Sequence, residues 1–305
     1  MEETSNAKVI DDVEIENENL AEDSSVELPT GRELSLAEIY PISASEDSYY
    51  VLIAGGTGSG KTTLITFFYQ CFLIGPRPKE LLFAGSKTLP AFVARAYNTW
   101  INSGRNEPST PRTPRNLENN ILHLRFKDTR TEKISNLLIS DVTGEIFEDV
   151  IGNTHAAKEN FQFLNTVDQL VLLLDGEKLL EIKTRFAEIE QSIQLLQTFL
   201  GAGILPEDLR ITVAISKYDK LKEANEEKII QRVKESFTDQ LPLLQSKLQY
   251  MNIAAMPPNR QFLPIGYGVQ DMLSNILQDK AKICNDIYVV NQHMKSQVNL
   301  FGWRK

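Results

Sequence analysis

The run Gly55-Gly56-Thr57-Gly58-Ser59-Gly60-Lys61-Thr62 is where residue types and spacing point most directly to chemistry. Glycines at this density let the backbone curl until successive N–H groups converge on phosphate oxygens, and a helix starting beside them adds the positive end of its dipole. Lys61 would bridge the β- and γ-phosphates, the Thr62 hydroxyl would ligate Mg²⁺, and Thr63 continues the loop into its helix. The pattern, a P-loop, implies a nucleoside triphosphate without saying which one. Kinases, ATPases and GTPases all share it.

Two later segments narrow the choice. Leu137-Leu138-Ile139-Ser140 is an apolar run that ends in Asp141, a carboxylate able to hold a magnesium-bound water, and the chain continues Val142-Thr143-Gly144-Glu145. A glycine placed three residues after such an aspartate can give its amide to the γ-phosphate and so report whether that phosphate is there. The second segment, Ile211–Ile215, ends in Ser216-Lys217-Tyr218-Asp219. An aspartate there can accept from guanine N1 and N2 together, a donor pair that adenine lacks, while the Lys217 stem lies along the base. Ser216 stands where asparagine is usual, which predicts a guanine preference with less rigid support. A weaker candidate for covering the base edge is Gly266, within Pro264-Ile265-Gly266-Tyr267-Gly268.

These groups must be presented by a scaffold, and the pattern from Tyr49 onward supplies one. Apolar runs at 49–54, 81–84, 121–126, 134–140, 169–174, 210–216 and 262–265 read as strands, several continuous enough to be covered on both faces. Between them, three- and four-residue apolar spacing predicts helices over 61–74, 90–102, 178–200, 221–248 and 269–291. Alternation of this kind gives an α/β fold, a mostly parallel central sheet with helices on both faces. The boundaries follow: an acidic disordered tail over 1–45, a P-loop domain over 46–292 with an insertion at about 76–118, and a short basic aromatic tail over 293–305. The stretch from Lys61 to Asp141 leaves room for an extra strand and helix.

The ordered set GGTGSGKTT, DVTGE and SKYD resembles the Ras-like, translation-factor-related (TRAFAC) class of GTPases, and the segment from Phe83 to Phe92 resembles the bacterial double-GTPase type of mobile conflict systems. The resemblance implies GTP and GDP as the bound nucleotides, Mg²⁺ as cofactor, and a switch acting through protein effectors or regulators. It also implies a switch threonine that reaches the metal when GTP is bound. Thr110 is the first choice and Thr113 the alternative, in a proline-rich loop that also carries Arg105, Arg112 and Arg115. Many members of the class place glutamine after the Asp-x-x-Gly glycine to orient the attacking water, where this chain has Glu145. A carboxylate beside a polyanionic transition state predicts slow hydrolysis. The alternatives are a nucleotide-gated scaffold that scarcely hydrolyses, and an ATPase or kinase in which the SKYD run is accidental.

Composition sets the outer limits. The 305 residues include 2 cysteines and 3 histidines, all scattered, so a disulfide scaffold and a zinc enzyme are disfavoured and a reducing cytoplasmic setting is expected. The net charge of −9 resides in residues 1–30, and the remaining chain is balanced at 31 acids and 31 bases. That gives no electrostatic case for nucleic acid as a partner. No apolar run approaches the roughly 20 residues of a membrane span, and stable membrane insertion is not expected.

Overall fold

The computed structural model describes residues 30–74, 78–97 and 119–277. In chain order the elements are β1 (Leu34–Ser35), α1 (Leu36–Ser45), β2 (Asp47–Ala54), α2 (Lys61–Ile74), β3 (Leu81–Gly85), α3 (Leu89–Ala96), β4 (Asn119–Asp128), β5 (Ile134–Ser140), α4 (Gly144–Val150) and α5 (Thr154–Phe161). They continue with β6 (Gln169–Asp175), α6 (Gly176–Leu180), α7 (Ile182–Gly201), β7 (Arg210–Ser216), α8 (Tyr218–Glu223), α9 (Lys228–Gln240), β8 (Leu248–Asn252) and α10 (Val269–Ile276). One sheet of eight strands runs β1-β4-β5-β2-β6-β7-β8, and β3 pairs with β4. Strands β5, β2, β6, β7 and β8 are mutually parallel, β4 is antiparallel to β5, and β1 and β3 are antiparallel to β4.

Period-two alternation along β2 builds a core on each side of the sheet. Tyr50, Leu52 and Ala54 join the layer that holds Phe147, Phe161, Phe199 and Phe237, from α4, α5, α7 and α9. Tyr49, Val51 and Ile53 face the other layer, made by Phe67 and Phe68 of α2, Phe92 of α3 and Met272 of α10. Helices therefore cover both faces, and the apolar runs of β2 and β6 have no solvent side. Because the five central strands are parallel, Ala54, Ser140, Asp175, Ser216 and Asn252 all end at one edge of the sheet. The phosphate loop, the Asp-x-x-Gly run and the SKYD run each follow directly from one of those ends, which is where open parallel sheets bind ligands.

The structure departs from the sequence-based boundaries at four places. The stretch assigned to the tail contains β1 and α1, and α1 is fixed by a capping box: Ser35 Oγ accepts from the Glu38 amide at 3.3 Å while Glu38 Oε2 accepts from the Ser35 amide at 2.8 Å. The helix expected over 178–200 is broken at Glu181, whose backbone is extended, and Arg185 caps the end of α6 by donating to the carbonyls of Leu179 and Leu180. The helix expected over 221–248 stops at Glu223, because Asn225 takes a left-handed conformation (φ 54°), and stops again before Pro242. Among the described residues the last strand is β8 at 248–252. The expected strand at 262–265 is a turn, with Pro264 lacking the amide a ladder needs and Phe262 exposed.

No helix among the described residues is long and apolar enough to cross a membrane.

Candidate functional site

The phosphate loop leaves β2 and enters α2 with Gly55, Gly58 and Gly60 at positive φ, a curl that other residues resist. Lys61 is buried, and its Nζ donates to the Gly55 carbonyl at 2.7 Å and the Gly56 carbonyl at 3.0 Å, 5.9 Å above the ring of Phe147. Burial pushes the Lys61 ammonium down to about 8, opposed by the charges of Asp141 and Glu148. A cation held by two backbone carbonyls can exchange them for other oxygen acceptors. Ser59 is nearly all interior, and its amide already donates to the Gly56 carbonyl at 3.2 Å.

A cavity of ≈ 470 Å³ opens beside this loop. Gly60, Thr63 and Leu64 form one wall, Leu173 and Glu177 the floor, Ser216, Lys217, Asp219 and Lys220 a second wall, and Ile253, Ala255, Met256 and Pro258 the third. The SKYD run and the phosphate loop thus face one space, although 156 residues separate Gly60 from Ser216. The size suits a nucleoside.

The base side of the cavity is built by local backbone constraint. Lys217 is left-handed (φ 47°), which turns the chain sharply at the end of β7 and sets Asp219 in the first turn of α8. Its Nζ donates to Asp175 Oδ2 at 2.7 Å and to Glu177 Oε2 at 3.1 Å, so the stem is stretched along the floor. Burial lowers the Lys217 pKa, but these two carboxylates outweigh it and the net direction is up. Asp219 is buried, and that burial raises its carboxyl above the ordinary aspartate value. Gly176 admits the loop: a Cβ there would stand 2.5 Å from the Ser216 carbonyl. Ser216 Oγ donates to the Leu174 carbonyl at 3.1 Å and so ties the loop to the neighbouring strand.

A family model described as Double-GTPase 2 matches residues 50–277, which include the phosphate loop, the Asp-x-x-Gly run and the SKYD run. The chain belongs to the Double-GTPase 2 family. Membership makes it a P-loop protein that binds guanine nucleotides. No curated protein matches the sequence. Among solved structures, it is similar to the signal recognition particle receptor SRb-GTP/SRX complex from Chaetomium thermophilum, at 15% identity and a TM-score of 0.39, covering 71% of this chain and 94% of that one. It is also similar to a bacterial selenocysteine-specific elongation factor EF-Sec, at 15% identity and a TM-score of 0.38, covering 75% of this chain and 28% of that one.

In this Double-GTPase 2 chain the Asp-x-x-Gly run closes over the phosphate loop. Asp141 follows β5 and is buried, and the Asp141 amide donates to the Asn120 carbonyl at 2.9 Å. Gly144 opens α4 and lies against the loop so closely that a Cβ would come within 2.5 Å of the Thr57 nitrogen. Any side chain here would lift α4 off the cradle. Glu145, next in line, is half-buried in the first turn of α4.

Several residues at the site were not singled out in the sequence. Arg95 of α3 donates from Nε to Asp141 Oδ2 at 2.9 Å and from Nη1 to Glu33 Oε1 at 2.6 Å. Glu148 of α4 accepts from the Thr57 amide at 2.8 Å. Asp175 and Glu177 hold Lys217, and the segment 253–258 forms the cavity wall expected of Gly266. Gly266 stands behind that wall and donates its amide to the Ala255 carbonyl at 2.9 Å. An apolar run ending in a lone Asp-Gly at 175–176 was the one signal that could have revealed the floor. The switch candidates Thr110 and Thr113, the arginines at 105, 112 and 115, and the tails at 1–29 and 293–305 lie outside the described residues.

Proposed function

We propose that this chain is a magnesium-dependent GTP switch with slow intrinsic hydrolysis, acting through partner proteins. The supporting observation is the shared cavity, where the phosphate loop and the Asp219 wall enclose one space of nucleoside size. In this reading Asp219 accepts from guanine N1 and N2, Lys217 lies along the base, and the amides of the phosphate loop with Lys61 hold the phosphate chain.

Among the described residues no cluster of three or more His, Cys, Asp or Glu side chains could hold a metal by itself. That suits Mg²⁺, which takes few protein ligands and completes its shell with phosphate oxygens and water. Thr62 and Asp141 offer hard oxygen donors, and Thr110 is the proposed third. When bound, the ion would neutralise charge developing on the β- and γ-phosphates. In this reading the Gly144 amide would meet the γ-phosphate, and α4 begins at that glycine. Glu145 replaces the water-orienting glutamine, and a second carboxylate, Glu148, sits on the loop itself. Both oppose negative charge in the transition state, the reason for assigning slow turnover.

The same pair of carboxylates favours a second reading, a nucleotide-gated scaffold with negligible hydrolysis. Identifying the nucleotide that copurifies with the chain, followed by single-turnover phosphate release, tests both. Guanine nucleotide with release that depends on Lys61 supports the switch. Guanine nucleotide without release supports the scaffold, and adenine nucleotide would sink both readings.

A further inference from the structure

We infer that Glu148 determines how well this chain distinguishes a nucleoside triphosphate from a diphosphate, by holding the phosphate-loop amide that a third phosphate would take. The inference rests on the reading of the loop as a triphosphate cradle. Thr57 lies on the exposed lip of that loop, and its amide donates to Glu148 Oε1 at 2.8 Å. The same nitrogen is the atom that a Cβ on Gly144 would approach to 2.5 Å. The amide therefore sits directly under the glycine assigned to sense the γ-phosphate, and the carboxylate occupies the adjoining position. A Cβ on Gly56 would lie 3.4 Å from Glu148 Oε1, so the carboxylate also lies beside the neighbouring residue of the cradle.

Two anions cannot share one amide, and at this separation they repel. In the triphosphate-cradle reading, Lys61 and the start of α2 hold the first two phosphates, and a diphosphate leaves the Thr57 amide with Glu148. A triphosphate must displace Glu148, and α4 moves with it, because Gly144 and Glu148 belong to the same two-turn helix. The displaced carboxylate has a cation nearby: a Cβ on Gly56 would lie 3.6 Å from Lys178 Nζ, which pairs with the buried Glu188 at 3.2 Å. Because Glu148 is exposed, its hydrogen bond is of moderate strength, and the discrimination it sets is correspondingly moderate.

The test measures the affinities of GDP and of a non-hydrolysable GTP analogue, with Mg²⁺, for the full chain and for Glu148→Ala, Glu148→Gln and the neighbouring control Asp149→Asn. The expected result is that Glu148→Ala binds the triphosphate analogue roughly three- to tenfold more tightly while GDP affinity is unchanged. Glu148→Gln should follow in the same direction, and Asp149→Asn should leave the ratio of the two affinities at the wild-type value. An unchanged ratio in both Glu148 variants would overturn the inference. So would a fall in single-turnover hydrolysis with no shift in the ratio, since that would make Glu148 a water-positioning residue. If the wild-type chain bound neither nucleotide, the triphosphate reading would fail first and this inference with it, a result distinct from tight binding of both without discrimination.

Discussion

The guanidinium of Arg95 is clamped between two carboxylates, with Nε 2.9 Å from Asp141 and Nη1 2.6 Å from Glu33, and the Arg95–Asp141 pair is buried. Arg95 lies on α3, the helix inserted between the phosphate loop and the Asp-x-x-Gly run, so the insertion reaches the site through this side chain. Removing a single partner of a buried pair takes away much of the other charge's compensation. Arg95→Gln should therefore destabilise the fold by about 3–5 kcal/mol, and adding Asp141→Asn should recover part of that loss. Urea denaturation of the two single variants and the double variant measures the coupling, and additive effects would show that the pair does not act as a unit.

In the proposed reading, base identity turns on Asp219. Asp219→Asn replaces an acceptor pair with a mixed donor and acceptor, so guanine N1 and N2 lose a charged partner. Affinity for GTP should fall roughly 10- to 100-fold, while xanthosine triphosphate, which carries a carbonyl at C2, should bind better than it does to the wild type. Competition titrations with GTP, ATP and the xanthine nucleotide decide it. A variant that kept its guanine preference would remove Asp219 from the base site.

The lowered pKa of Lys61 gives binding a pH signature. In the free chain the ammonium loses its proton as pH rises through about 8. Phosphate oxygens favour the charged form and raise that value, so binding takes up a proton above pH 8, and affinity falls as pH rises through that range. Calorimetry in buffers of different ionisation enthalpy should detect proton uptake near pH 8.5 and little near pH 6.5. Equal uptake at both would mean that Lys61 is not the coupled group.

Much of the site was legible because short motifs were anchored to strand ends. The run from Val51 to Ala54 is continuously apolar, as a strand buried on both faces requires, and the glycines after it allow the tight curl that other residues resist. The same logic puts Asp141 and Ser216 on one sheet edge from the apolar runs alone. What escaped were contacts between distant elements. Nothing near Arg95 in sequence announces that α3 packs on α2 and β4 and reaches Asp141, and Glu148 reads as one more acid on a helix. At the third cavity wall the chemistry was misplaced rather than missed. β8 is a half-exposed edge strand whose Gln249 and Asn252 blur its apolar pattern, whereas 262–265 is more apolar but carries Pro264. The broken helices escaped for a related reason: Glu181 has no helix-breaking signature of its own, and Asn225, which tolerates the left-handed conformation, lies in an apolar spacing that reads straight through it.

The two ends of the cavity rest on unequal foundations. The cradle springs from β2, which has strands on both sides and is almost wholly interior, whereas the residues at 253–258 hang from β8, which among the described residues pairs with β7 alone at the margin of the sheet. Marginal strands open first, so amide exchange should run faster at 249–255 than at 51–54. A ligand gripped from both ends would then leave by a fixed order, the purine freed by a fraying border while its charged end is still moored to the middle of the sheet.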